Sequence, residues 1–114
     1  MRGADFLIAT AAANPGRLVI VLLGPATVIA QALSRKPLAL QQVSRVLAMG
    51  GSLAVAGNVT SYAEFNVWFD PEAMEQLLAS DIDLTLLPLD TTTTVGYPIE
   101  LAQGLAGSDG AADQ

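Results

Sequence analysis

Leu18-Val-Ile-Val-Leu-Leu-Gly-Pro-Ala-Thr27 decides the fold. Its first six residues are all apolar and include the β-branched Val19, Ile20 and Val21. Such a run reads as a strand buried on both faces, as in a parallel sheet covered on each side. Gly24-Pro25 turns the chain, and Thr27 to Ser34 is predicted as a helix with Val28, Ile29, Ala32 and Leu33 on one side. The uncharged stretch 18–34, bracketed by Arg17 and Arg35, reaches the lower limit of a membrane span. The Gly-Pro pair in its middle argues for strand, turn and helix instead, so no membrane partner is expected.

Upstream, residues 3–14 are predicted as a helix, with Phe6, Leu7, Thr10 and Ala11 or Ala13 at helical spacing, stopped by Asn14-Pro15-Gly16. Asp5 stands where the apolar part of a signal peptide would begin, so the cytoplasm is the expected compartment. Downstream, Pro37 restarts a short helix ending near Gln42. Val46 to Met49 is a second strand, ended by Gly50-Gly51, and residues 50–63 form a long loop of the kind that often carries function. Glu64 to Phe69 is predicted to be extended. Asp70-Pro71-Glu72 opens a helix, with an N-cap, a proline at the first helical position and an acid at the positive end of the dipole. Met74, Leu77 and Leu78 supply its apolar stripe. Leu84 to Leu89 is a third strand leading into Asp90 and four threonines, and 98–105 is a last short helix. The domain is assigned to residues 1–106, and 107–114 to a flexible C-terminal tail. The fold class is α/β, a three-layer arrangement around a mostly parallel sheet, incomplete and with two open edges.

The 114 residues contain 5 Lys+Arg, 11 Asp+Glu and neither His nor Cys, a net charge of −6. The acidic balance argues against a nucleic-acid partner. The missing residue types exclude thiol chemistry, imidazole general catalysis and soft metal sites, leaving only hard cations held by oxygen. In an extended 64–69 segment, Glu64, Asn66 and Trp68 would share one side, and Phe65, Val67 and Phe69 would pack inward. A carboxylate and a carboxamide two residues apart, joined by Asn58 from the loop, offer donors and acceptors for a polyhydroxylated ligand. The same alternation also describes a solvated strand face. At Leu23 to Thr27, exposed carbonyls could ligate a hard cation or form a simple turn. Asp90 could be a ligand or a cap, and Asp81 and Asp83 read as solvated.

These residues carry a resemblance. Leu23-Gly-Pro-Ala-Thr-Val-Ile-Ala30, Met49-Gly-Gly51, Gly57-Asn58, Ala63-Glu-Phe-Asn66, Asp70-Pro-Glu-Ala73 and Leu89-Asp-Thr-Thr92 resemble, in order, the inosine-uridine preferring nucleoside hydrolase family. The resemblance implies a Rossmann-like fold and hydrolysis of the N-glycosidic bond of ribonucleosides, with a calcium ion binding the ribose diol and a water. It implies that Asn58, Glu64 and Asn66 hold ribose hydroxyls, and that the Thr27 backbone carbonyl is a calcium ligand. The family's opening Asp-x-Asp-x-Gly-x-Asp-Asp cluster and its later His-Asp pair have no counterpart here, and Val28 replaces an Asn. The expectation is therefore a middle portion of the family's domain with ribonucleoside or ribose as ligand. Calcium is not retained by this chain alone, and turnover is absent without the remaining residues. The alternative is a non-catalytic ribose- or nucleoside-binding fragment, or an oligomer-forming one that pairs its sheet edges with another copy or a complementing chain.

Overall fold

The computed structural model describes residues 3–108, so part of the tail assigned to 107–114 lies outside the described residues. Three parallel strands form the sheet: β1 (Val19–Leu22), β2 (Arg45–Met49) and β3 (Leu84–Leu87), in the spatial order β1-β2-β3. They alternate with helices α1 (Gly3–Ala13), α2 (Thr27–Arg35), α3 (Pro37–Leu40), α4 (Phe65–Phe69), α5 (Pro71–Leu78), α6 (Leu89–Thr92) and α7 (Ile99–Ser108). The alternation and the parallel pairing follow the sequence reading closely.

The register fixes which strand residues share a face. Ile20, Val46 and Leu84 form one row, and Leu22, Ala48 and Leu86 the next. These rows pack against Ile29, Ala32 and Leu33 of α2, Leu40 of α3, and Met74 and Leu77 of α5. α1 adds Ala4 and Ala11 from the same side, with Leu7 packed beside them as expected, whereas Phe6 is exposed. Val28 and Leu78 likewise lie outside the core, at the margins of otherwise correct helical stripes.

The sheet is covered on one face only among the described residues, which corrects the expectation of cover on both. Val19 is 50% exposed and Val21 59%, although both belong to the apolar run that suggested full burial. The reason is topological. Both crossovers step one strand in the same direction, and crossovers of one hand that step the same way lie on the same face. Two of the three expected layers are therefore present.

Two further segments depart from expectation. β3 ends at Leu87, and Leu89 opens the short helix α6 after Pro88. Glu64 to Phe69 is not extended: Glu64 is the N-cap of α4, which runs from Phe65 to Phe69. Of the three side chains expected to pack inward, only Val67 does so, while Phe65 and Phe69 are exposed. No described helix is long and apolar enough to cross a membrane.

Candidate functional site

The site is built where the β1–β2 ladder runs out. Leu22 pairs with Ala48, so Leu23 and Met49 stand opposite one another one step beyond the last shared pair. The Asn66 side chain enters this fork. Its Nδ2 donates to the Leu23 carbonyl at 3.3 Å and to the Met49 carbonyl at 3.0 Å, and touches the Met49 Sδ at 3.4 Å. Asn66 is 6% exposed, and among the described residues no hydrogen bond occupies its Oδ1. The carboxyl ends of parallel strands are where α/β sheets gather ligands, because the chain diverges there and leaves carbonyls and loop amides free.

Glu64, 3% exposed, holds this corner together. Its Oε1 accepts from the Asn66 amide at 2.9 Å. Its Oε2 accepts from Gly51 N at 2.9 Å and from Val67 N at 3.2 Å. Asn58 supplies the remaining cap: its Oδ1 accepts from Phe65 N at 2.9 Å. With Trp68 N donating to the Glu64 carbonyl, every backbone donor in the first turn of α4 is satisfied. The three residues predicted to form a ribose site are thus brought together, by capping a helix and not by alternation along a strand. Glu64 and Asn66 point into the fold's seam, and Asn58 lies at its exposed rim.

Glycines make the approach possible. Gly51 has φ +82°, in the left-handed region that suits glycine, and this turns its N–H toward Glu64. At Gly50 an added Cβ would sit 3.2 Å from Val67 Cγ2 and 3.4 Å from Glu64 Oε2.

Two further carboxylates brace the site, and the sequence reading assigned neither this task. Asp90, at the start of α6, accepts from Leu53 N at 2.9 Å and Ala54 N at 2.7 Å, fastening the loop that carries Asn58. Those two backbone donors hold its carboxyl below the ordinary value of 3.8. Asp70 accepts from Ala73 N at 3.1 Å as the N-cap of α5 and from the Thr27 hydroxyl, tying the start of α2 to that of α5. Part of the signal for the second pair is in the sequence, where Asp70 reads as a cap and Thr27 as a turn residue. Their contact across 43 residues is not.

The described residues do not fit a calcium site. Thr27 is the first residue of α2, where helix geometry aims its carbonyl along the axis toward residue 31. The Asp70 and Asp90 carboxylates are engaged by N–H and O–H donors. Among the described residues no three Asp or Glu side chains gather as a metal cluster, whereas calcium takes six to eight oxygens. Nor do the three predicted sugar ligands line the groove between α2 and α5, whose walls are Thr27, Gln31, Ser34, Asp70, Glu72 and Gln76 among others.

Comparison with known proteins identifies the family. Residues 1–112 match the family model of the inosine-uridine preferring nucleoside hydrolases. A pyrimidine-specific ribonucleoside hydrolase of Escherichia coli is 36% identical over 108 residues, covering 90% of this chain and 34% of its own length. The crystal structure of an inosine-uridine preferring nucleoside hydrolase from Bacillus anthracis superposes with a TM-score of 0.82 at 28% identity, covering 96% of this chain and 38% of that one. A purine-preferring ribonucleoside hydrolase from Gardnerella vaginalis gives 0.75 at 34% identity, covering 79% and 28%. The chain spans about a third of the length of the curated relatives it matches.

Proposed function

The chain belongs to the inosine-uridine preferring nucleoside hydrolase family, and on that premise we propose that it forms the ribose-holding wall of a site that hydrolyses ribonucleosides to base and ribose. The observation that carries this reading is the convergence of Asn58, Glu64 and Asn66 on the first turn of α4, at the carboxyl ends of β1 and β2. That these relatives are ribonucleoside and nucleoside hydrolases supports the substrate class.

In this reaction the bond from ribose C1′ to the base nitrogen breaks and its electron pair leaves with the base. The oxygen of water bonds to C1′, and the water proton ends on the base. Positive charge grows on the sugar ring as the bond opens, so groups that grip the sugar in that state accelerate the reaction. Glu64 Oε1 accepts one backbone amide and keeps capacity for a ribose hydroxyl, Asn66 Oδ1 accepts another, and the Asn58 carboxamide nitrogen donates. All three are fixed by backbone contacts before any sugar arrives, which spares the cost of ordering them.

Water activation and the metal-binding part of the family's chemistry fall to residues outside this set. The chain by itself binds ribose and does not turn over. The compartment we propose is the cytoplasm. A non-catalytic, structural role for this corner is the second reading, favoured by the burial of Glu64 and Asn66 and by the backbone donors that occupy the Glu64 carboxylate.

The test is a ¹⁵N NMR titration of the chain with D-ribose and with inosine, alongside a hydrolysis assay with and without calcium. Saturable shifts of the Asn58 and Asn66 side-chain amides, without turnover, are expected. Ribose that leaves both amides unmoved removes the site, and calcium-dependent turnover removes the claim of inactivity.

A further inference from the structure

We propose that Thr27 and Asp70 are positioning residues for the sugar site: the Thr27 hydroxyl, bonded to the Asp70 carboxylate, sets the angle of α4 and through it the aim of Asn66 Oδ1. This rests on the reading of Asn66 as a ribose ligand. Among the described residues, side-chain hydrogen bonds reach the stretch 23–27 at its two ends. Asn66 Nδ2 donates to the Leu23 carbonyl at 3.3 Å, and the Thr27 hydroxyl donates to Asp70 Oδ2. Both contacts join residues 43 positions apart, so the turn between β1 and α2 and the helix α4 advance side by side. Together they form a clamp with a grip at each end.

α4 needs such a clamp. It runs only from Phe65 to Phe69, too short to hold its own direction, and of its apolar side chains only Val67 packs against the core. Its start is fixed by the Glu64 carboxylate on Gly51 N and by Asn58 on Phe65 N. Its end is Asp70, which also caps α5 through Ala73 N. With the Thr27 contact gone, Asp70 still caps α5 but no longer grips α2, and α4 is free to pivot about its Glu64 corner. Asn66 lies between the two fixed ends, so that motion swings its Oδ1. The Thr27 contact is partly buried and charge-assisted, which makes it stronger than a surface hydrogen bond between neutral groups. The hydroxyl is not needed to start α2, whose N-cap is Ala26. Among the described residues Thr27 Oγ1 makes no other hydrogen bond.

The test is ¹⁵N NMR of the intact 114-residue chain with D-ribose as the probe, alongside urea unfolding. Thr27→Val keeps the shape and deletes the hydroxyl, leaving Asp70 on Ala73 N. Asp70→Ser keeps a cap for Ala73 N, but its one short oxygen does not also serve Thr27. Ile82→Val trims the core beyond the far end of α5 and is the destabilised control. Thr27→Val and Asp70→Ser are each expected to move the Asn66 side-chain amide resonances before ribose is added, and to weaken ribose binding at least about fivefold. Thr27→Ser restores both, and Ile82→Val changes neither. Asn66 resonances unmoved by Thr27→Val, or not restored by Thr27→Ser, overturn the proposal. So does an equal weakening by Ile82→Val. A parent chain that leaves ribose unbound defeats the reading of the site alone, and the ribose-free Asn66 resonances still decide the clamp.

Discussion

Glu64 Oε2 and the Gly51 amide nitrogen lie 2.9 Å apart, joining residues thirteen positions apart at the end of β2 and the start of α4. The contact is partly buried, and the same carboxylate also receives Asn66 N and Val67 N. Removing it strands three backbone donors at once. Glu64→Ala is expected to cost about 2 kcal/mol, the sum of a lost N-cap and unsatisfied buried amides. Urea unfolding monitored by circular dichroism measures this. Glu64→Gln trades one acceptor for a donor and falls between the two.

Asn66 gives a sharper contrast between two small changes. Asn66→Ala removes the donor that links the Leu23 and Met49 carbonyls and costs roughly 1–2 kcal/mol. Asn66→Asp keeps the shape but sets an anion against two carbonyl oxygens, and is expected to cost more than the alanine at pH 7. Lowering the pH restores part of the loss, because the introduced carboxyl can donate one hydrogen bond once it is protonated. Denaturation midpoints for both variants at pH 7 and pH 4 decide the matter, and equal losses at both pH values would refute it.

Asp90 makes the loop pH-dependent. Its carboxyl is held below 3.8 in the folded chain by the Leu53 and Ala54 amides, so the contact is fully present above the unfolded value and fades as pH falls through the folded one. The amide proton shifts of Leu53 and Ala54 should titrate together with a midpoint under 3.8. In Asp90→Asn that titration disappears, and exchange of the two amides quickens at neutral pH.

Gly57 cannot be replaced quietly. A Cβ there would fall onto the backbone of Ala63, which folds back to accept from Val59 N at 3.0 Å. Gly57→Ala must open this turn and so displace Asn58 from Phe65 N. The expected result is faster exchange at Phe65 and loss of ribose-induced shifts at Asn58, with the unfolding midpoint lowered by only a few degrees because the loop lies outside the core.

Much of this is legible in the sequence. The solid apolar run at 18–23 marks β1, and Asp70-Pro71-Glu72 marks the start of α5 to the residue. The layer count is not legible, since a central strand reads the same whether its second face is covered by its own crossovers or by polypeptide elsewhere. The 64–69 segment misleads for a local reason. Six residues are too few to separate a period of 2 from one of 3.6, and here the polar Glu64 and Asn66 are buried while Phe65, Trp68 and Phe69 are exposed. What forms the helix is capping by Glu64 and by Asn58 from across a loop. Sequence spacing shows the second of these only after the fold is known.

Met49 meets Asn66 twice, through its carbonyl and through its thioether. The sulfur is soft, weakly accepting and open to oxidation, whereas a sulfoxide is hard, chiral and bulkier. Mild peroxide thus becomes a reagent for the corner where the strands part: the speed at which Met49 gains oxygen reports how firmly the neighbouring carboxamide is seated, with no residue replaced.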